Sequence, residues 1–273
     1  MNAPVSARDA LTQIIESFND VAVAVSGGVD SLTLATIAHG AIGSRARMFH
    51  AVSPAVPGEA TRRVESLAEQ RGWALTVIDA GEFGDADYRS NPVNRCFYCK
   101  TNLYGAIAPH TGAQIVSGTN LDDLGEYRPG LEAAKKYSVR HPFVEAGIDK
   151  ASVRLLARQS GLGEISELPA APCLSSRIET GIGIDPAMLA LVHQTERMVG
   201  AELQPQTVRC RVRAGGVVIE LDETALATTD QVQRDSLGGR VAELFSRGGF
   251  DYAVSFAVYR VGSAFVHPVR IVS

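Results

Sequence analysis

The sequence predicts an α/β protein, a doubly wound parallel sheet followed by a smaller α+β domain. Three observations predict it. Short apolar runs alternate with helix-period stretches through the longer N-terminal part; one of those runs, Val21–Val25, passes directly into a glycine-rich turn and a helix; and past Pro186 the order of elements changes.

Strands are expected at Val21–Val25, Met48–Val52, Leu75–Ile78 and Ile115–Ser117, with helices at Arg8–Phe18, Ser31–His39, Glu59–Arg71 and Lys100–Pro109. Strand-helix alternation implies parallel pairing with helices on both faces. Asp149 reads as the N-cap of a helix over Ala151–Gln159 that stops at Gly161. Beyond Pro186, Met188–Val199 reads as a helix, Val208–Val212 and Val217–Leu221 as strands, Gln231–Phe245 as a helix and Tyr252–Tyr259 as a strand. The boundary falls in the glycine-containing stretch Thr180–Asp185, giving expected domains of 1–180 and 181–273.

The junction Ser26-Gly27-Gly28-Val29-Asp30-Ser31 carries the chemistry. Gly27 and Gly28 lack Cβ atoms, so backbone N–H groups can approach an anion at the positive end of the helix that opens near Asp30. Ser26 and Ser31 add hydroxyls. The Walker sequence Gly-Lys-Ser/Thr is missing, and with it the lysine that holds a β/γ-phosphate for transfer. Such a loop suits pyrophosphate as a leaving group, with Asp30 placed to help hold magnesium. The plainer reading is a glycine-rich turn of no chemical meaning. Ligands of doubly wound sheets bind beyond the strand C-terminal ends, where this loop and Gly118-Thr119-Asn120 would both face one nucleotide.

With 273 residues and 45% hydrophobic content, the chain can bury a full core. No apolar run approaches the roughly 20 residues of a membrane span, and Met1-Asn2-Ala3-Pro4 does not open a secretion signal, so a cytoplasmic location is expected. A net charge of -4 with no lysine- or arginine-rich block argues against RNA or DNA and for a small substrate. Four cysteines in such a chain point to metal or redox chemistry rather than a disulfide framework.

Cys96 and Cys99 form a Cys-x-x-Cys pair at the start of an expected helix, and Cys173 stands in Pro169-Ala170-Ala171-Pro172-Cys173-Leu174-Ser175-Ser176-Arg177, where the prolines extend the backbone and Arg177 favours a thiolate. Three soft thiolates with one open position suit an iron–sulfur cluster. Buried structural cysteines, a zinc site short of its fourth ligand, and a Cys96–Cys99 redox disulfide are the alternatives. Arg211 and Arg213, alternate residues of an expected strand, share a face and could grip a substrate phosphate, as could Arg177; a solvated strand face is the competing reading.

Ser-Gly-Gly-x-Asp-Ser resembles the PP-loop of the ATP pyrophosphatase superfamily, also called adenine nucleotide alpha-hydrolase-like, whose members adenylate a substrate oxygen before a nucleophile displaces AMP. A more specific resemblance rests on Gly118-Thr119-Asn120-Leu121-Asp122-Asp123-Leu124-Gly125-Glu126-Tyr127-Arg128-Pro129-Gly130, Ala133-Ala134, Val139-Arg140, Pro142, Glu145-Ala146-Gly147, Lys150, Arg154, Leu156-Ala157-Arg158 and Pro172-Cys173-Leu174-Ser175-Ser176-Arg177-Ile178. Together these resemble the LarE family, ATP-dependent sulfur transferases of nickel-pincer nucleotide cofactor biosynthesis. The resemblance implies ATP bound by Ser26, Gly27, Gly28, Asp30, Ser31, Gly118, Thr119 and Asp122, and a pyridinium-3,5-biscarboxylate mononucleotide that is adenylated and then thiolated. It makes Cys173 the sulfur centre. Some members of the family sacrifice that cysteine; others hold a [4Fe-4S] cluster, the form that Cys96, Cys99 and Cys173 together favour. It further implies a homo-oligomer, and Glu196 resembles a family acidic residue. Ile165-Ser166-Glu167-Leu168-Pro169 replaces the family's Trp-Asp-Lys-Pro, Val218 stands near where an arginine often precedes the Ile-Glu pair, and Tyr259-Arg260-Val261-Gly262-Ser263-Ala264-Phe265 departs from Tyr-Arg-x-Gly-Ser-Met-Asn.

Other readings of the same chemistry are an ammonia-using adenylating synthetase, which has no need of three cysteines, and a tRNA thiolase, which wants a basic surface or an RNA-binding domain. A nucleotide-binding sensor is the non-enzymatic alternative, and Asp30, Asp122 and Asp123 weigh against it.

Overall fold

The computed structural model describes residues 6–125, 128–170 and 172–260. Met1–Pro4, Glu126, Tyr127, Ala171 and the tail from Val261, all of which figure in the sequence motifs above, lie outside the described residues. The helices are α1 (Ala7–Glu16), α2 (Val29–Ile42), α3 (Gly58–Arg71), α4 (Ala86–Arg89), α5 (Arg95–Ile107), α6 (Gly130–Lys136), α7 (Pro142–Glu145), α8 (Lys150–Gln159), α9 (Pro186–Leu203), α10 (Glu223–Thr228) and α11 (Gln231–Arg247).

Strands β1 (Val21–Ala24), β2 (Ala46–Val52), β3 (Ala74–Asp79) and β4 (Gln114–Ser117) form one parallel sheet in the order β3-β2-β1-β4. Val21 lies opposite Ala46 and Gln114, and Ala24 opposite Phe49 and Ser117. Because side chains alternate along a strand, β1 feeds two cores. Val21, Val23 and Val25 join Leu11 and Ile15 of α1, Leu32 of α2, Val64 of α3 and Val153 of α8. Ala22 and Ala24 join Phe49, Ile78, Tyr104 and Ile107 of α5, and Ala134 of α6. Two cores on opposite faces are what double winding means, and each fully buried aliphatic side chain contributes roughly 1.5–3 kcal/mol to holding them. The chain runs outward from β1 to β3 and then crosses to β4, so the β1–β4 boundary is the switch point where ligands of such sheets sit.

Local chemistry sets the helix ends. Asp149 accepts from the Ser152 N–H at 2.8 Å and so caps α8, and Gly161 beyond its end takes φ +68°. Helix α2 begins at Val29 with Gly28 as N-cap, earlier than the sequence suggests, and α5 begins at Arg95 rather than Lys100, so Cys96 and Cys99 both lie within its opening turns.

The chain divides into two compact units, one running through Glu82 and resuming from Cys96 to Ala171, the other holding Phe83–Arg95 and the chain from Pro172 onward. Side-chain bonds tie 83–95 into the second unit. The buried Asn91 donates to the carbonyls of Glu179 and Ile182 at 2.9 and 3.0 Å, Tyr88 shares a 2.7 Å hydrogen bond with Ser175, and Arg95 donates to the Ser175 carbonyl at 2.8 Å. Strands β5 (Val208–Arg213) and β6 (Gly216–Leu221) form an antiparallel hairpin, and β7 (Val254–Val258) pairs parallel with β6 after a crossover through α10 and α11. Asp185 caps α9, and Asp230 with Gln233 forms a capping box on α11.

Candidate functional site

At the switch point the chain leaves β1 and turns through Ser26–Gly28 into α2. Ser31 Oγ accepts from the Ser26 N–H at 3.1 Å, lies 3.1 Å from Ser26 Oγ and donates to the Gly28 carbonyl at 3.2 Å, closing the turn on itself. Gly27 has φ +83°, and a Cβ there would lie 2.8 Å from the Ala60 carbonyl oxygen of α3. Both the backbone angle and the close approach therefore demand glycine. Gly28 differs: a Cβ there would meet only Ser26 Oγ, at an ordinary 3.7 Å. The turn presents the first N–H groups of a 14-residue helix, an arrangement suited to an anion.

The loop after β4 closes against this turn. A Cβ on Gly118 would lie 2.9 Å from Asp30 C and Ser31 N, so glycine lets the two backbones touch. Asn120, which is buried, donates through Nδ2 to Asp30 Oδ1 at 3.2 Å, and Lys150 Nζ reaches Asp30 Oδ2 at 2.5 Å. Asp122 Oδ2 accepts from the Lys150 N–H at 3.2 Å, while Asp123 pairs with Arg128 at 2.7 Å. Thr119 Oγ1 lies 3.2 Å from Ser117 Oγ, which is 2.9 Å from His141 Nδ1. Burial lowers the His141 pKa, against the raising effect of Glu145 and Asp123. The structure thus brings Ser26, Gly27, Gly28, Asp30, Ser31, Gly118, Thr119 and Asp122 into one neighbourhood. Sequence reasoning missed the partner of Asp30. Lys150 follows a legible N-cap, but no spacing announces that its ammonium returns to the first loop.

Cys96 and Cys99 stand one helical turn apart on α5, in the first unit, and both are partly exposed. Cys173 belongs to the second unit and is also partly exposed. No disulfide joins any of the four cysteines. Cys210 is fully buried, and burial, reinforced by the Glu196 carboxylate, pushes its thiol pKa far up, leaving it an inert core group. Among the described residues, no three His, Cys, Asp or Glu side chains stand together as a metal-binding group.

Arg177 is buried and grips Glu196 bidentately, Nε to Oε1 at 2.8 Å and Nη2 to Oε2 at 3.0 Å. Its Nη1 donates to the carbonyls of Pro172 at 2.7 Å and Cys173 at 3.3 Å, folding the cysteine segment around the guanidinium. Arg211 and Arg213 do share a face, and both converge on Glu220: Arg211 Nε donates to Oε2 at 3.0 Å and Arg213 Nη2 to Oε1 at 2.7 Å. Arg211 also donates to the Ser176 carbonyl at 2.8 Å and is only 5% exposed, whereas Arg213 is more open. Arg209, which carries no motif in the sequence, lies on the same strand, its pKa lowered first by burial and then by the charge of Arg177.

A parallel sheet whose switch point carries a strand, the turn Ser-Gly-Gly-x-Asp-Ser and a helix defines an ATP-using enzyme of the PP-loop class. No family model matches the chain. An uncharacterized protein of Synechocystis sp. is 33% identical over 89% of this chain and 90% of its own length. The pyridinium-3,5-bisthiocarboxylic acid mononucleotide synthase of Lactiplantibacillus plantarum is 30% identical over 88% of this chain and 90% of its own. The chain belongs to the LarE family. The glutamine-hydrolyzing GMP synthase of Aeropyrum pernix is 29% identical over 72% of this chain and 43% of its own length. Among the described residues no helix is long and apolar enough to cross a membrane.

Proposed function

We propose that this protein is an ATP-dependent sulfur transferase that adenylates a carboxylate of a pyridinium-3,5-biscarboxylate mononucleotide and replaces its oxygen with sulfur. The observation that carries the ATP half is the Asp30–Lys150 pair, a carboxylate and an ammonium 2.5 Å apart beside a loop of N–H donors. The loop amides hold the β- and γ-phosphates, and Lys150 takes the part of the lysine that the loop itself lacks. When ATP enters, Lys150 exchanges Asp30 for a phosphate oxygen, which frees Asp30. Asp30 would then hold magnesium, which when bound would supply neutralising charge to the departing pyrophosphate.

The substrate follows from the similarity to the Lactiplantibacillus plantarum synthase. A substrate carboxylate oxygen attacks the α-phosphorus, and the bond to pyrophosphate breaks. A sulfur nucleophile then attacks the acyl carbon, its bond to oxygen breaks and AMP leaves, a far better leaving group than oxide. Arg177 fixes the backbone of Cys173 through the Pro172 and Cys173 carbonyls, which supports a role for this segment in presenting sulfur. Arg211 and Arg213, with Arg177, are the cations offered to the substrate phosphate, for which Glu220 holds the first two in place meanwhile. Cys96, Cys99 and Cys173 would hold a [4Fe-4S] cluster, which when bound supplies sulfide at an iron with no protein ligand.

Incubation with ATP, magnesium and the dicarboxylate nucleotide tests the reading. Pyrophosphate release that depends on that nucleotide is expected, and no release with any carboxylate tested contradicts it. Anaerobic reconstitution tests the cluster: a broad visible absorption band that disappears in Cys99→Ala is expected, and a featureless spectrum removes it. If the Cys173 peptide loses the elements of hydrogen sulfide after turnover, the sulfur came from the cysteine itself.

A further inference from the structure

Helix α3 backs the phosphate loop, and its contacts there have no part in the chemistry so far described. The Ala60 carbonyl oxygen would lie 2.8 Å from a Cβ on Gly27, so the loop rests flush on the first turn of the helix. One position before the loop, the Val25 carbonyl accepts from Nδ1 of the fully buried His50 at 2.8 Å. A carbonyl can only accept, so Nδ1 carries the proton, and in the neutral ring Nε2 accepts from the Thr61 hydroxyl at 3.0 Å. The end of β1 is thereby tied to α3. Next along the chain, Arg63 Nη1 donates to the Gly27 carbonyl at 2.7 Å.

That last bond acts on a particular peptide. In a trans peptide the C=O of one residue and the N–H of the next point in opposite directions, so holding the Gly27 carbonyl aims the Gly28 N–H the other way, away from α3. The unit between two glycines is also the one with the least steric resistance to turning over. Turned over, it would present a carbonyl oxygen where the loop otherwise presents an N–H, and a carbonyl dipole repels an anion.

Resting on the ATP reading above, we infer that Arg63 is a positioning residue that locks the Gly27–Gly28 peptide so that the loop offers the Gly28 N–H to the pyrophosphate portion of ATP. Arg63 acts through the loop and does not touch the nucleotide. Its guanidinium is half-buried, with the pKa lowered by burial against the raising influence of Glu59, which is consistent with a cation committed to a protein carbonyl rather than to water.

Calorimetric titration of wild type, Arg63→Met and Arg63→Lys with ATP and with inorganic pyrophosphate tests this, alongside the Gly28 amide resonance of protein labelled with nitrogen-15 glycine. Arg63→Met is expected to bind both ligands about ten- to a hundredfold more weakly, the scale of a lost charge-assisted hydrogen bond. Lysine, which can still donate to the carbonyl, should restore most of the affinity. The Gly28 amide should shift on adding pyrophosphate in wild type and in Arg63→Lys but not in Arg63→Met. Arg63→Gln, too short to reach the carbonyl, serves the same comparison if the methionine variant does not fold. Unchanged affinity without Arg63, or weakened affinity with an unchanged Gly28 response, overturns the inference while leaving the ATP site intact. Wild-type protein that binds neither ligand overturns the ATP reading itself.

Discussion

Replacing Gly118 with alanine tests the contact between the two loops at the switch point. A Cβ at this position would lie 2.9 Å from Asp30 C and Ser31 N and 3.1 Å from Ser31 Cα, where ordinary contacts begin at 3.4 Å. All three atoms are backbone at the opening of α2, so no flexible side chain can move aside. The loops must part by about half an ångström or more, an overpacking cost of about 1–3 kcal/mol. For a protein of this size that lowers the melting midpoint by roughly 2–12 °C. The same displacement carries Asp30 and Ser31 away from the β4 loop, and misplacement on the order of 1 Å can cost about a hundredfold in rate. Pyrophosphate release should therefore fall about ten- to a hundredfold. Gly40→Ala, near the other end of α2 with nothing within 4 Å of its Cβ, is the control and should be neutral or slightly stabilising. Thermal melts and a coupled pyrophosphate assay read both effects. Wild-type stability and rate in Gly118→Ala would refute the reasoning.

Gly28→Ala should behave in the opposite sense. Its Cβ meets nothing closer than 3.7 Å within the protein, so stability should stay within about 1 kcal/mol of wild type while ATP affinity, measured by calorimetry, collapses; retained affinity would count against phosphate lying over this residue. Glu196→Gln leaves the buried Arg177 without its counter-charge and should cost about 3–5 kcal/mol in urea unfolding, with an unchanged midpoint as the contrary result. His141 supplies a pH test. Burial lowers its pKa in the folded protein, so the unfolded chain takes up the proton more readily, and the stability linked to it is present above about pH 6.5 and lost as the pH falls through the window below. His141→Gln should flatten that slope in urea melts recorded between about pH 5 and 7, and a slope identical to wild type would remove the assignment.

The first sheet is legible in the sequence because β1 carries its instruction in five residues. Val21-Ala22-Val23-Ala24-Val25 offers an apolar side chain to each face, which only a strand buried on both sides needs, and the glycines after it allow the turn. Helix α5 reads short at its start because Cys-Phe-Tyr-Cys shows no helix period, even though Asn94, a residue type suited to an N-cap, stands directly before Arg95. The attachment of 83–95 to the second unit is hidden, since it depends on Asn91 bonding to carbonyls 88 and 91 positions away. The pairing of Lys150 with Asp30 spans 120 positions and is hidden for the same reason. Alternation along β5 correctly puts Arg211 and Arg213 on one face. It cannot reveal that Glu220 stands between their guanidinium groups, because that depends on the hairpin register of β5 with β6. Periodicity reports which way a side chain points, and long-range partners come only from the fold.

The most direct test of the central claim is mass spectrometry of a single reaction of the protein with ATP, magnesium, a sulfur source and pyridinium-3,5-biscarboxylate mononucleotide. Pyrophosphate, AMP and a product in which sulfur has replaced a carboxylate oxygen are expected, all absent in Asp30→Asn. Pyrophosphate and AMP without any sulfur-containing product would leave an adenylating enzyme and contradict sulfur transfer.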